Sequence, residues 1–153
     1  MSPSPPPRLI LLVEDDPADA RLVQRAFQKA ELRADMTRLT NGDDVVAYLA
    51  GDAPYENRAL YPLPSLILLD IKLPRRSGLE VLQWIRKRND ALRRLPVVML
   101  TSSRHALDVN RAYDYGANSY LAKPETAAQL QELTRAFTSY WLSFNEEPSL
   151  GGA

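Results

Sequence analysis

No cysteine occurs in the 153 residues, and histidine occurs once, at His105. The first absence removes disulfides and thiolate metal sites. The second removes the paired imidazoles of a zinc centre and a self-contained phosphorelay, and leaves His105 as an exposed residue near a helix start. A cysteine-free chain fits a reducing compartment, so the expected location is the cytoplasm. Glycine is scarce, with 6 residues. Neither the paired-glycine dinucleotide pattern nor the phosphate-loop pattern is present, which leaves nucleotide binding without support. Long apolar runs are missing too: the longest fall far short of a membrane span, and no secretory segment opens the chain. No excess of either charge exists, 19 basic residues standing against 19 acidic ones, so no global field draws the protein to nucleic acid or anionic lipid. The basic groups at 75–76, 86–88 and 93–94 are accordingly read as solvated surface.

What is present is an ordinary globular composition, 45% hydrophobic and 25% charged, in a length that suits one domain with a substantial core. The start, "MSPSPPPR", is expected to be a disordered, proline-rich lead over 1–8. The end, from 145 to 153, contains "EEPSLGGA" and reads as a flexible tail. Between them, over 9–144, apolar runs alternate with helical periodicity. "LILLV" at 9–13 is a buried strand. It is followed by "EDDP", where Asp16 can cap a helix whose first turn Pro17 suits. A weaker strand at 36–39 leads to "NGDD", a turn and cap, and to a short helix through Val45, Val46 and Leu49. "GDAPYENRALYPLP" at 51–64 is a long loop, unusual enough to suggest a use. Strands at 66–70 and 96–100 bracket a helix opened by Ser77 or Gly78. A helix over 107–115 stops at Gly116, suited to a left-handed cap. "SYLAKP" is a short fifth strand, and a last helix runs over 126–142 with Leu130, Leu133, Ala136, Phe137 and Tyr140 expected on its inner face.

Strand then helix, five times without internal repeat, predicts an α/β doubly wound parallel sheet. Function in such sheets lies beyond the carboxyl ends of the strands. There the chain places Glu14 and Asp15 after strand one, Asp70 after strand three, Thr101 after strand four and Lys123 after strand five. If strand one lies beside strand three, three carboxylates converge and repel, and a hard divalent cation such as Mg²⁺ removes the conflict. An aspartate beside such a cation can act as a nucleophile towards a phosphoryl group, with Lys123 supplying a second cation and Thr101 a hydroxyl. Each residue alone has a plain reading as a cap, a surface lysine or a β-favouring threonine. Together they make a site.

The set "ILLVEDDP", "LILLDIKLPRRSG", "VVMLTSS" and "SYLAKP" resembles the receiver domain of two-component response regulators, over roughly 9–142. The resemblance implies a five-stranded sheet in the order 2-1-3-4-5. It implies Asp70 as phospho-acceptor and Mg²⁺ held by Glu14, Asp15, Asp70 and the main-chain carbonyl of Lys72. It further implies Thr101 as switch hydroxyl, Lys123 as the lysine gripping the phosphoryl group, Tyr120 as the aromatic switch, and a cis peptide between Lys123 and Pro124. The loop "YENRALYPLPSLILLD" and the ending "YWLSFNEEP" resemble the single-domain response regulators of bacterial phytochromes; alternatively, Tyr55 and Tyr61 only pack the loop onto the body.

The implied partner is a sensor histidine kinase, possibly a bacteriophytochrome. The implied role is that of a stand-alone receiver and not of an enzyme, beyond assisting its own phosphorylation and dephosphorylation. Neither nucleic acid nor membrane is expected as a partner. Phosphorylation would shift partner or dimer affinity as a population shift. A phosphatase needs a second acid two residues after the nucleophile, where Lys72 stands. A phosphorylation-independent pseudo-receiver, acting as an interaction module, would normally have lost part of the set. Trp141 and Phe144, just beyond the core-facing helix, either fold back or, with the fourth helix and fifth strand, complete the interface of a symmetric homodimer.

Overall fold

The computed structural model describes residues 8–151. The proline-rich lead lies outside them except for Arg8, which is not lead but the first residue of β1 (Arg8–Val13). Then follow α1 (Pro17–Lys29), β2 (Ala34–Leu39), α2 (Gly42–Ala50), β3 (Leu66–Leu69), α3 (Gly78–Arg86), β4 (Val97–Thr101), α4 (Ala106–Asp114), β5 (Ser119–Ala122) and α5 (Ala127–Ser139). The strands form one parallel sheet in the order β2-β1-β3-β4-β5, the expected order.

The sheet separates two apolar layers. Leu9, Leu11, Val13, Ile67, Leu69, Val97 and Met99 pack with α2, α3 and α4. The alternate residues Ile10, Leu12, Leu66, Leu68, Val98 and Leu100 pack with α1 and α5. Because neighbours along each strand point to opposite faces and both faces are covered, these strands read as unbroken apolar runs. Three helix starts lie at expected caps. Asp16 accepts from the amides of Ala18 (2.8 Å) and Asp19 (3.4 Å), Asn41 from Asp44 (2.8 Å) and Ser77 from Glu80 (3.2 Å). Gly116 has φ +104°, in the region that favours glycine.

Four expectations are corrected. The buried side of α5 is Leu130, Thr134 and Phe137, while Ala136 and Tyr140 are exposed and Leu133 is only half-buried. The inner stripe is therefore rotated by one position, because the Thr134 hydroxyl donates to the Ala26 carbonyl of α1 (3.2 Å) and so sits inside. The helix also does not run on unchanged to 142: after Ser139 it widens into a π-helical turn, Tyr140–Phe144, closed by the Asn145 amide on the Tyr140 carbonyl (2.8 Å). The cis peptide among the described residues is Ala53–Pro54, not Lys123–Pro124; cis and trans differ little before proline, so the dipeptide alone does not decide the isomer. Finally, the basic group at 86–88 is not uniformly solvated. Arg86 donates to the carbonyls of Gly116, Arg93 and Leu95 and to Asn118, stitching α3 to the start of β4.

The long loop packs onto the body through Tyr55 and Tyr61, which meet Tyr48 of α2. The rings of Tyr48, Tyr55 and Tyr61 lie 5.1–6.0 Å apart, and Arg58 donates to the carbonyls of Tyr48, Leu49 and Tyr61. Beyond the π turn, Glu147 pairs with Arg8 (3.0 Å), the Ser149 carbonyl accepts from Arg94, and Leu150 packs on the layer under α2 to α4. No helix among the described residues is long and apolar enough to cross a membrane.

Candidate functional site

The site grows from strand order. With β1 hydrogen-bonded beside β3, the Asp70 amide donates to the Val13 carbonyl (3.2 Å), so the residues that follow the two strands emerge together. Glu14, Asp15 and Asp70 each offer a carboxylate oxygen within 4.8 Å of the others. Glu14 and Asp70 are buried, at 3% and 6% exposure, while Asp15 is exposed. Two buried carboxylates and a third at that spacing carry a heavy electrostatic cost unless cations answer it.

One cation is supplied by the chain. Lys123, just past β5, extends across β4 to pair with Glu14, with Asp70 at 3.0 Å and with Asp19 at 3.1 Å. Burial pushes the Lys123 ammonium towards the neutral form, but the hydrogen bonds it donates to Glu14 and Asp70 outweigh that and hold its pKa above the ordinary lysine value. Burial likewise raises the Glu14 carboxyl, and Lys123 opposes that rise without cancelling it. A single ammonium thus serves three acids, and among the described residues no cation pairs with Asp15. The donor set is oxygen alone, from carboxylates at strand ends, without sulfur or imidazole. That chemistry fits a hard divalent cation, Mg²⁺ or Mn²⁺.

Thr101 closes β4 with 1% exposure; its hydroxyl accepts from the Ser103 amide (3.4 Å), and its carbonyl accepts from the Lys123 amide (2.8 Å). Tyr120, half-buried on β5, donates its hydroxyl to the Ser103 carbonyl (2.8 Å) in the β4–α4 loop. Burial raises its phenol, and the bond to Ser103 works against that. Asp70, Lys123, Thr101 and Tyr120 are therefore joined by one series of hydrogen bonds that ends in the β4–α4 loop.

Comparison with known proteins agrees with this geometry. The model of the response regulator receiver domain matches residues 10–135. The chain belongs to that family. It is 41% identical to the response regulator Rcp1 of Synechocystis sp. over 139 residues, covering 91% of this chain and 92% of Rcp1. Among solved structures it resembles the phosphorylated cyanobacterial phytochrome response regulator RcpA (TM-score 0.85, 35% identity, 94% and 99% of the two chains). It also resembles the Mn²⁺-bound form of Rcp1 (TM-score 0.84, 37% identity, 94% and 100%). The receiver described here thus has phytochrome response regulators as structural neighbours.

Lys72, two positions past Asp70, has an exposed side chain. His105 is exposed at the cap position of α4 and caps nothing with its side chain. Trp141 folds back, stacking near Phe137 (6.4 Å) and edge-on to Tyr140 (5.1 Å) against the layer under α1 and α5. Phe144 remains 77% exposed.

Two residues of the receiver's site escaped sequence reasoning. Asp19, in the first turn of α1, is the third acid on Lys123; the helix start at Asp16 could have marked it as facing the strand ends. Arg38, in β2, donates from Nε to the Glu14 carbonyl (3.0 Å) and from Nη2 to the Asp15 carbonyl (3.1 Å). Nothing in the local sequence around Arg38 signals that contact.

Proposed function

We propose that this receiver accepts a phosphoryl group on Asp70 from the phosphohistidine of a cytoplasmic sensor kinase, and that a bacterial phytochrome is that kinase. The observation that carries the reading is the placement of Asp70: a buried carboxylate held between an acidic cluster and Lys123. The likeness of the chain to the phytochrome response regulator RcpA supports the phytochrome partner. Glu14, Asp15, Asp70 and the Lys72 carbonyl are the residues that would hold Mg²⁺. When bound, the ion neutralises the acids and polarises the phosphoryl oxygens.

Transfer then places an Asp70 carboxylate oxygen in line with the phosphorus. A new O–P bond forms as the P–N bond breaks, and its electron pair returns to the donor imidazole. Lys123 leaves its contact with Asp70 to meet the phosphoryl oxygens, and Thr101 donates its hydroxyl to them. Because Thr101 and Tyr120 both act on the β4–α4 loop, that movement releases the Ser103 carbonyl and frees Tyr120 to change rotamer. The two states exist beforehand and the phosphoryl group shifts their populations.

The output is a homodimer across the β5–α5 face. Leu133, Ala136 and Tyr140 form an apolar stripe unused by the core, and with Leu121 and Trp141 they line a groove of about 370 Å³. The reading is tested by calorimetry with beryllofluoride, a phosphoryl mimic. A Mg²⁺-dependent binding signal is expected, and it should vanish in Asp70→Asn; an equal signal in that variant would place the acceptor elsewhere.

A further inference from the structure

We propose that Arg38 is a positioning residue for the acidic pair, fixing the backbone that aims Asp15 and Glu14 at the cation; the inference rests on the cation site proposed above. Arg38 is level with Leu12 in the β1–β2 register, so its side chain runs forward past the end of β1. There it donates to the carbonyls of Glu14 (3.0 Å) and Asp15 (3.1 Å). Those carbonyls belong to the two consecutive peptide units that flank Asp15. A peptide unit is planar, so holding both units sets the torsions of Asp15 and hence the direction of its Cα–Cβ bond.

Asp15 needs such help more than its neighbours. Its side chain is exposed, and among the described residues no hydrogen bond reaches its carboxylate. Glu14 is buried, its amide is held by the Leu39 carbonyl (3.0 Å), and its carboxylate accepts from the Asp16 amide (3.2 Å). Arg38 reaches the two carbonyls from two different nitrogens held in one rigid plane, Nε and Nη2, whereas a lysine's donors radiate from a single atom on a flexible stem and do not fix the two peptide units in the same way.

Charge and position make opposite demands here. A guanidinium beside cation-binding acids repels the cation, so charge alone predicts that removing Arg38 tightens Mg²⁺ binding. Positioning predicts that removal loosens it. Ordering groups behind metal ligands characteristically change affinity by about 10- to 100-fold.

The test is Mg²⁺ calorimetry on the full chain for wild type, Arg38→Ala and Arg38→Lys, with amide exchange at Asp15 and Asp16 measured in metal-free protein. Arg38→Ala should bind Mg²⁺ about tenfold more weakly. Arg38→Lys keeps the charge and should also bind more weakly, and both variants should exchange the two amides faster without metal. If Arg38→Ala does not fold, Arg38→Lys decides alone. Binding as tight as wild type in Arg38→Lys, or tighter than wild type in Arg38→Ala, overturns the role. Failure of the cation site itself looks different: wild type then binds no Mg²⁺, or binds it equally in Asp15→Asn, and the role of Arg38 falls with it.

Discussion

Lys123 shows how much one side chain can be asked to balance. It is 15% exposed and faces Glu14, Asp70 and Asp19 together. Replacing it by alanine leaves two buried carboxylates without their ammonium, which should cost roughly 3–5 kcal/mol of stability in metal-free protein. Mg²⁺ would answer the same charges. Urea unfolding with and without Mg²⁺ should therefore show a larger Mg²⁺ stabilisation in Lys123→Ala than in wild type. An equal increment in both proteins would mean that Lys123 and the ion do not address the same acids. The sign of the pH effect follows from the raised lysine. Its contribution to stability is fully present below roughly pH 10, the unfolded lysine value, and is lost as pH rises through the higher folded value.

At the scale of elements, the β3–α3 loop is held by close backbone approach. A Cβ on Gly78 would lie 1.9 Å from the Asp70 carbonyl oxygen, and one on Gly42 would lie 2.0 Å from the Arg76 carbonyl oxygen. Both obstacles are main chain, which cannot swing aside as a side chain can. Gly78→Ala should therefore destabilise the fold by about 1–3 kcal/mol or more and displace Asp70. Denaturant midpoints and beryllofluoride affinity should fall together in this variant; an unchanged affinity would mean that the loop absorbs the methyl without moving Asp70, the proposed acceptor. Element positions were legible because strands and caps declare themselves locally: "LILLV", "LILL" and "VVML" by apolar content, and Asp16, Asn41 and Ser77 by their side-chain acceptors. The rotated face of α5 was not legible. A threonine reads as outward-facing until a carbonyl of α1 offers it a partner.

For the whole molecule, the stripe on α5 borders β5 at Leu121, and Phe144 is exposed at the end of the π turn that continues α5; the proposed dimer would cover both. Phe144→Ser should weaken self-association without a measurable loss of monomer stability, since that ring packs on little. Trp141→Ala should lower stability as well, because Trp141 belongs to the core layer under α1 and α5. Sedimentation at several concentrations, with and without beryllofluoride, separates the two cases. A monomer under every condition would remove the dimer from the functional reading.

By itself the sequence determined the sheet class and the position of Glu14, Asp15, Asp70, Thr101 and Lys123 at strand ends, because burial on both faces and the chemistry of caps and carboxylates act over a few residues. Only the tertiary structure decided which groups meet. Asp19 reaches Lys123 across 104 residues, and Arg38 reaches back 23 to 24 residues to the acidic pair. Such contacts depend on where parallel crossovers bring strand ends and helix starts together, and a side chain's partner across that distance leaves no mark on the residues beside it.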